Sequence, residues 1–293
     1  MRIDRALDPL PRAQRIAGQR FVWCRTSGKT VALSLALALA GCVTEDVQST
    51  LVVDKAQGSE QNLSSLTQVI ARDPRNPGAY YTRGVAYGKA GRFREAVADF
   101  TKAIELNPRY HQAYYNRGVA QQELGQNAQA LADYNAALRI DPNYDNAYVG
   151  RGNLYRANGQ NNDALRDYDR AINLGTDNAG AYTNRGVLRQ AQGQHVQAIE
   201  DFSAAIKLER FAAQPLARRG FSYLALNDQT NAFDDFNAAL RLNNRNAEAW
   251  AGQGLVFEQR NNPSRAAQSY KRALSLDPSL TIAQQGAQRT RGS

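Results

Sequence analysis

Three kinds of residue in this 293-residue sequence could do chemistry: two cysteines, two histidines, and arginines and aspartates at a fixed spacing. Cys24 and Cys42 both lie in the first 42 residues. The rest of the chain therefore has no thiol for a disulfide framework or a thiolate metal site. His111 and His195 have no further His or Cys beyond Cys42 to complete a metal set or a nucleophile–base pair. No glycine-rich phosphate loop follows a strand, because no strand is expected. These residues imply no catalytic group, no metal and no cofactor.

The charged set is more regular. Arg83, Arg117, Arg151, Arg185 and Arg219 recur every 34 residues, and 16 residues after each stands Asp99, Asp133, Asp167, Asp201 or Asp235. Five stacked guanidinium groups could form an anion-binding ladder. The matching carboxylates argue instead for bidentate ion pairs that fix register. At the sixth position both partners are lost together, as Gln253 and Ser269. Joint loss places the pair inside one 34-residue unit, between its two helices.

The elements that must position these pairs follow the same period. Glycines stand at Gly84, Gly118, Gly152, Gly186, Gly220 and Gly254, each preceded by a large residue four positions earlier: Tyr80, Tyr114, Tyr148, Tyr182, Leu216, Trp250. Alanines follow from Ala96 to Ala266, then aromatic rings (Phe100, Tyr134, Tyr168, Phe202, Phe236, Tyr270), then alanines from Ala103 to Ala273. Pro108, Pro142 and Pro278 close three of the units. Apolar residues at helical spacing predict two short amphipathic helices per unit. A left-handed residue should end the first helix of each. Its column reads Gly91, Gly125, Gly159, Gly193, Asn227, Asn261, which are the first and second choices for that conformation.

These columns, over residues 77–280, resemble the tetratricopeptide-repeat family. The resemblance implies an all-α, right-handed superhelix, an α-solenoid, of six full repeats (77–110, 111–144, 145–178, 179–212, 213–246, 247–280). A half repeat over 59–76 and a capping helix and tail over 281–293 are expected at the ends, because one helix pair cannot bury its own apolar face and arrays need atypical termini. After the fourth repeat, Arg210 and Phe211 stand where a proline is usual, and Pro215 falls in the first turn of the next helix, where it is tolerated. An altered packing angle is expected at that junction.

In this family the first helix of each pair lines a concave groove, which here would present Tyr81, Tyr115, Asn116, Asn153, Arg156, Asn184, Gln190, Arg218 and Phe221. Such a surface is amide-rich and aromatic, with Glu123 its main acid before Glu248. It suits partner proteins bound as extended segments or helices. Asn153, Asn184 and Arg218 fall at three columns of the carboxylate clamp of chaperone-binding relatives, while the two lysine columns hold Val149 and Gln214. That pattern fits a weaker site for a peptide terminus or backbone, and equally fits ordinary solvated groove residues.

The first 41 residues read as an address. They hold seven basic and two acidic side chains, so much of the chain's net charge of +9 sits there, and the remainder is spread out rather than clustered. A nucleic-acid footprint is therefore missing. A basic stretch ending at Lys29 is followed by the short apolar run 31–40 and then Leu39-Ala40-Gly41-Cys42. This order resembles a bacterial lipoprotein signal peptide (1–41), which implies acylation of Cys42 and a polar tether over 42–58. Val43 rather than aspartate after the cysteine implies the outer membrane by enterobacterial sorting rules. Together the resemblances imply a lipid-anchored, non-enzymatic adaptor on the periplasmic face of the envelope. It would be broadly similar to the NlpI-like lipoproteins, which organise cell-wall hydrolases and a protease. A pilus or secretion assembly factor and a cytoplasmic co-chaperone are the alternatives, and a homodimer through the end helices, as in some relatives, stays open.

Overall fold

The computed structural model of the chain describes residues 58–291. The expected signal segment, Cys42 and nearly all of the expected tether lie outside the described residues. Fourteen helices and no strand occur among those described. Helix α1 (Glu60–Arg72) is the half repeat. Six pairs follow: α2 (Pro77–Lys89) with α3 (Phe93–Leu106), α4 (His111–Glu123) with α5 (Asn127–Ile140), α6 (Asp145–Ala157) with α7 (Asn161–Asn173), α8 (Ala179–Ala191) with α9 (His195–Leu208), α10 (Ala213–Ala225) with α11 (Gln229–Leu242), and α12 (Ala247–Gln259) with α13 (Pro263–Leu276). Helix α14 (Thr281–Arg289) closes the array, and each helix packs on the next in the chain. The periodicity's two helices per unit are present, and their stacking is that of the tetratricopeptide-type solenoid that the resemblance implies. No described helix is long and apolar enough to cross a membrane.

Local rules set the helix ends. Asn76 caps α2 by accepting from the Gly78 and Ala79 amides, with Pro77 at the first helical position. The turn column is left-handed throughout: Gly91, Gly125 and Gly159 at φ 73°, Gly193 at 74°, Asn227 at 60° and Asn261 at 53°. Pro215 is buried in the first turn of α10, and α9 and α10 keep the length and phase of the other repeats. Phe211 beside it is 87% exposed. A change in helix length does occur one repeat earlier. Gly175 takes φ 84° and its neighbour Thr176 donates to the Ala171 carbonyl at 3.2 Å, ending α7 one residue short of α5 and α9. The contact between successive first helices is correspondingly thinnest between α6 and α8.

The core is a stack of small residues and rings. The alanines from Ala96 to Ala266 and from Ala103 to Ala273 are fully buried, and so, within 2%, are the six rings Phe100, Tyr134, Tyr168, Phe202, Phe236 and Tyr270. Each ring rests on the glycine of its own repeat. A Cβ added at Gly118 would meet Tyr134 Cε1 at 2.9 Å, and one at Gly150, in the next repeat, would meet the same atom at 3.0 Å. Glycine here buys helix-to-ring approach rather than conformational freedom. At the C-terminal end Gly286 of α14 covers Tyr270, whose phenol donates to Glu258, and Arg289 binds the same carboxylate at 2.7 Å.

Behind this core runs a continuous polar ladder. Arg83 Nε and Nη2 donate to the two oxygens of Asp99 at 2.7 and 2.8 Å, and its Nη1 donates to Thr67 of the half repeat, α1, at 3.1 Å. The same geometry recurs at Arg117 (Asp133, Thr101), Arg151 (Asp167, Asn135) and Arg219 (Asp235, Ser203). Each guanidinium thus ties its own repeat together and grips the one before. The bonds to aspartate raise the pKa of these four arginines above the ordinary range, so they stay charged. At Arg185 the preceding member is itself acidic, Asp169 at 2.7 Å, and Arg189 joins Asp201 at 3.0 Å. Burial pushes the Asp201 carboxyl up, against the bonds from Arg185 that hold it down. In the sixth repeat Ser269 donates to Gln253 Oε1 at 3.1 Å and Gln253 Nε2 donates to Asn237 at 2.9 Å, an uncharged copy of the same ladder. The donors that an anion-binding ladder would need are already engaged.

Two substitution sets check this account. Asp167→Ser alone strands the Arg151 guanidinium, and a loss of about 2 kcal/mol is expected, discounted from a fully buried pair because Arg151 remains partly solvated. Adding Arg151→Gln copies the sixth repeat and should recover at least about 1 kcal/mol of that loss in the denaturant midpoint; strictly additive losses would contradict the ladder. For the glycines, Asn should be tolerated better than Ala at Gly125, where nothing lies within 4 Å and only the positive φ matters. At Gly118 both should destabilise, Ala by about 1 kcal/mol after its gain in helix propensity is subtracted from the overpacking cost.

Candidate functional site

The first helices carry the candidate groove residues, and the structure joins most of them to one another. Tyr81 lies 4.9 Å from the Tyr110 ring, and its phenol oxygen accepts from Asn116 Nδ2 at 3.1 Å. Asn116 Nδ2 also donates to the Gln112 carbonyl at 2.9 Å. Tyr115 meets Tyr144 edge-on at 5.4 Å and Tyr134 at 5.9 Å. Burial pushes the Tyr115 phenol up to about 12 and Tyr134 further, so both act only as neutral groups. The rings of Tyr110 and Tyr144 were legible as an aromatic column at the end of the first two repeats, which later repeats replace with Asn178 and Ala212.

Further along, the amides form a second cluster. Asn153 Oδ1 accepts from the Tyr168 hydroxyl and from Asn184 Nδ2, both at 2.8 Å. This bond spans two repeats and uses the Asn153 carboxamide oxygen. Gln190 Nε2 donates to the Arg218 carbonyl at 2.9 Å and to Ser222 at 2.8 Å. Arg218 pairs with Glu248 at 2.7 Å, while its Nε is buried without a partner. Phe221 packs on Phe236 at 5.0 Å, and Arg156 is exposed.

A carboxylate clamp does not assemble from these parts. Val149, at the first lysine column, is 2% exposed and belongs to the core around Tyr168. Gln214 is exposed, and the Arg218 charge is already met by Glu248. What remains is a run of carboxamides and phenols that fits backbone amides better than a free carboxylate. The ability to read Asn153 and Asn184 as partners was absent from sequence, because their contact depends on how adjacent repeats stack.

Neither histidine sits in a reactive constellation. His111 Nε2 lies 3.6 Å from Asp141 and meets Tyr144 edge-on at 4.9 Å. His195 Nδ1 is buried without a hydrogen-bond partner. Among the described residues no group of three or more His, Cys, Asp or Glu side chains gathers to hold a metal ion.

Comparison with known proteins bears on the fold. Family models described as tetratricopeptide repeat match residues 81–145, 218–280 and 133–166, and one described as TPR repeat matches 152–193. No curated protein matches the sequence. Among solved structures, the chain is similar to pilF of Pseudomonas aeruginosa (18% identity, TM-score 0.65, 75% of this chain and 99% of that one). It is similar to YrrB, described as a TPR protein with an unusual peptide-binding site (23% identity, TM-score 0.57, 64% and 97% covered). It also resembles a chain of the APC/C hetero-tetramer Cut9–Hcn1 (21% identity, TM-score 0.65), covering 80% of this chain and 46%, a little under half, of that one. With the repeat models covering 81–193 and 218–280, and with six helix pairs stacked in phase behind one ladder, this chain is a tetratricopeptide-repeat protein.

Proposed function

We propose that this chain is a non-enzymatic scaffold anchored by acyl groups on Cys42 to the periplasmic face of the outer membrane, where its groove gathers envelope proteins. The observation that carries the reading is one of order: a basic stretch, the apolar run 31–40 with Leu39-Ala40-Gly41-Cys42 at its end, and a short polar stretch precede a tetratricopeptide-type helix array. Several acyl chains on one residue give firm attachment, since each buried methylene contributes about 0.8 kcal/mol. The Asn153–Asn184 pair and the exposed Arg156 supply the polar contacts for an extended partner segment. In the NlpI-like form of this reading the partners are cell-wall hydrolases or a protease.

A second reading, an assembly factor for a pilus or secretion system, is favoured by one observation. The chain aligns over 99% of pilF of Pseudomonas aeruginosa and over 97% of PilW, which is described as a widely conserved type IV pilus biogenesis factor.

Cells expressing the chain with a fatty-acid analogue should yield labelled protein in the membrane fraction, and Cys42→Ala should remove both label and membrane association. An unlabelled wild-type chain would overturn the anchor and favour a cytoplasmic co-chaperone. Crosslinked pull-down from membranes should then recover hydrolases or a protease, lost with the Asn153→Ala, Asn184→Ala, Arg218→Ala triple variant; recovery of pilus or secretion subunits instead would favour the second reading.

A further inference from the structure

The sixth repeat contains a cavity where the other repeats contain an ion pair. In the first repeat the Arg83 guanidinium lies 5.9 Å from the Tyr80 ring and 5.7 Å from Tyr87, and in the third Arg151 lies 5.5 Å from Tyr148 and 5.8 Å from Tyr155. The equivalent rings in the sixth repeat are Trp250 and Phe257, one at each column. The shorter Gln253 and Ser269 replace the arginine and the aspartate, and they turn toward each other and toward Asn237. The space left between the rings is a solvent-open cavity of about 380 Å³, whose lining includes Trp250, Gln253, Phe257, Ser269, Arg265 and Arg272.

Its charge is unlike that of the other repeats. The column of Arg265 holds Glu95 in the first repeat and Asp163 in the third, and the aspartate column now holds Ser269. Arg265 and Arg272 are exposed, seven residues apart on one face of α13, and neither pairs with a carboxylate among the described residues. Arg265 instead lies 5.7 Å from the Phe257 ring. The rings alone would suit a cation, as they do elsewhere in the array. Two unneutralised guanidinium groups at the rim, with no acid in the lining, exclude that guest and select an anion.

We propose that this cavity binds a carboxylate borne on an aromatic or apolar residue of a partner polypeptide, the ring or alkyl part stacking on Trp250 and Phe257 and the carboxylate bridging Arg265 and Arg272. The site uses columns distinct from those of Tyr81, Asn116 and Asn153, so it is independent of the groove and of the function proposed for it. The carboxylate has two sources, an acidic side chain beside an apolar one or the end of a chain, and they share this chemistry.

The test uses the full chain carrying Trp23→Phe, so that Trp250 is its sole tryptophan. Its fluorescence is followed on titration with three peptides: an amidated one with phenylalanine between two glutamates, its glutamine analogue, and a neutral one ending in phenylalanine with a free carboxyl. Saturable binding of the first or the third identifies the source, with the glutamine analogue weaker by about tenfold or more. Arg265→Gln with Arg272→Gln should weaken binding by a similar factor. Gln253→Arg with Ser269→Asp rebuilds the pair of the other repeats; it should fill the cavity and abolish binding without lowering the denaturation midpoint. Equal affinity for the glutamine analogue, no saturable change at millimolar peptide, or unchanged binding by the filled variant would overturn the proposal. The groove variant at Asn153, Asn184 and Arg218 should bind these peptides normally, whatever becomes of its partners.

Discussion

The structure depends on one arginine in each of the first five repeats, shared with the helix of the unit before it. Its fork satisfies the aspartate of its own second helix and still has one nitrogen for the short polar residue on the second helix before it. Apolar stacking of alanines and rings supplies most of the favourable energy in such an array, but it is poorly directional. The planar guanidinium, held bidentately at one end, gives the stack a fixed phase. That the sixth repeat keeps an uncharged version of the same contacts indicates that the geometry matters more than the charge.

This constraint also explains where chemistry can and cannot occur. Arginines that look from sequence like a row of anion sites are saturated by partners, and the carboxylates beside them are consumed as well. Any contact with another molecule falls to groups outside the ladder. On the first helices these are carboxamides and phenols, many already tied across repeats, which makes that surface preformed rather than adaptable. Where the ladder lapses, at Gln253 and Ser269, the vacated volume becomes a cavity with uncompensated positive charge at its rim.

Much of this was legible in the sequence because repetition multiplies weak signals. The glycine, alanine and ring columns define the helix pairs, and the left-handed column ending in Asn227 and Asn261 marks the turns. The third rung of the ladder has no such signal. Thr67, Thr101, Asn135, Asp169, Ser203 and Asn237 differ in residue type and share only a short side chain with an acceptor oxygen, so they look like noise unless aligned at 34-residue spacing. The missing proline after the fourth repeat leaves the lengths of α9 and α10 unchanged, whereas Gly175, a left-handed residue outside the turn column, shortens α7. The Asn153–Asn184 contact depends on the stacking of neighbouring repeats and has no signature in either one alone.

Amide hydrogen exchange on an Arg151→Met chain tests the shared-arginine claim most directly, since methionine keeps the packing volume and removes both sets of bonds. The account predicts faster exchange in α7, which loses its partner for Asp167, and equally in α5, which loses its partner for Asn135, with the distant repeats unchanged. Exchange altered only within α6 and α7, with α5 as protected as before, would contradict it.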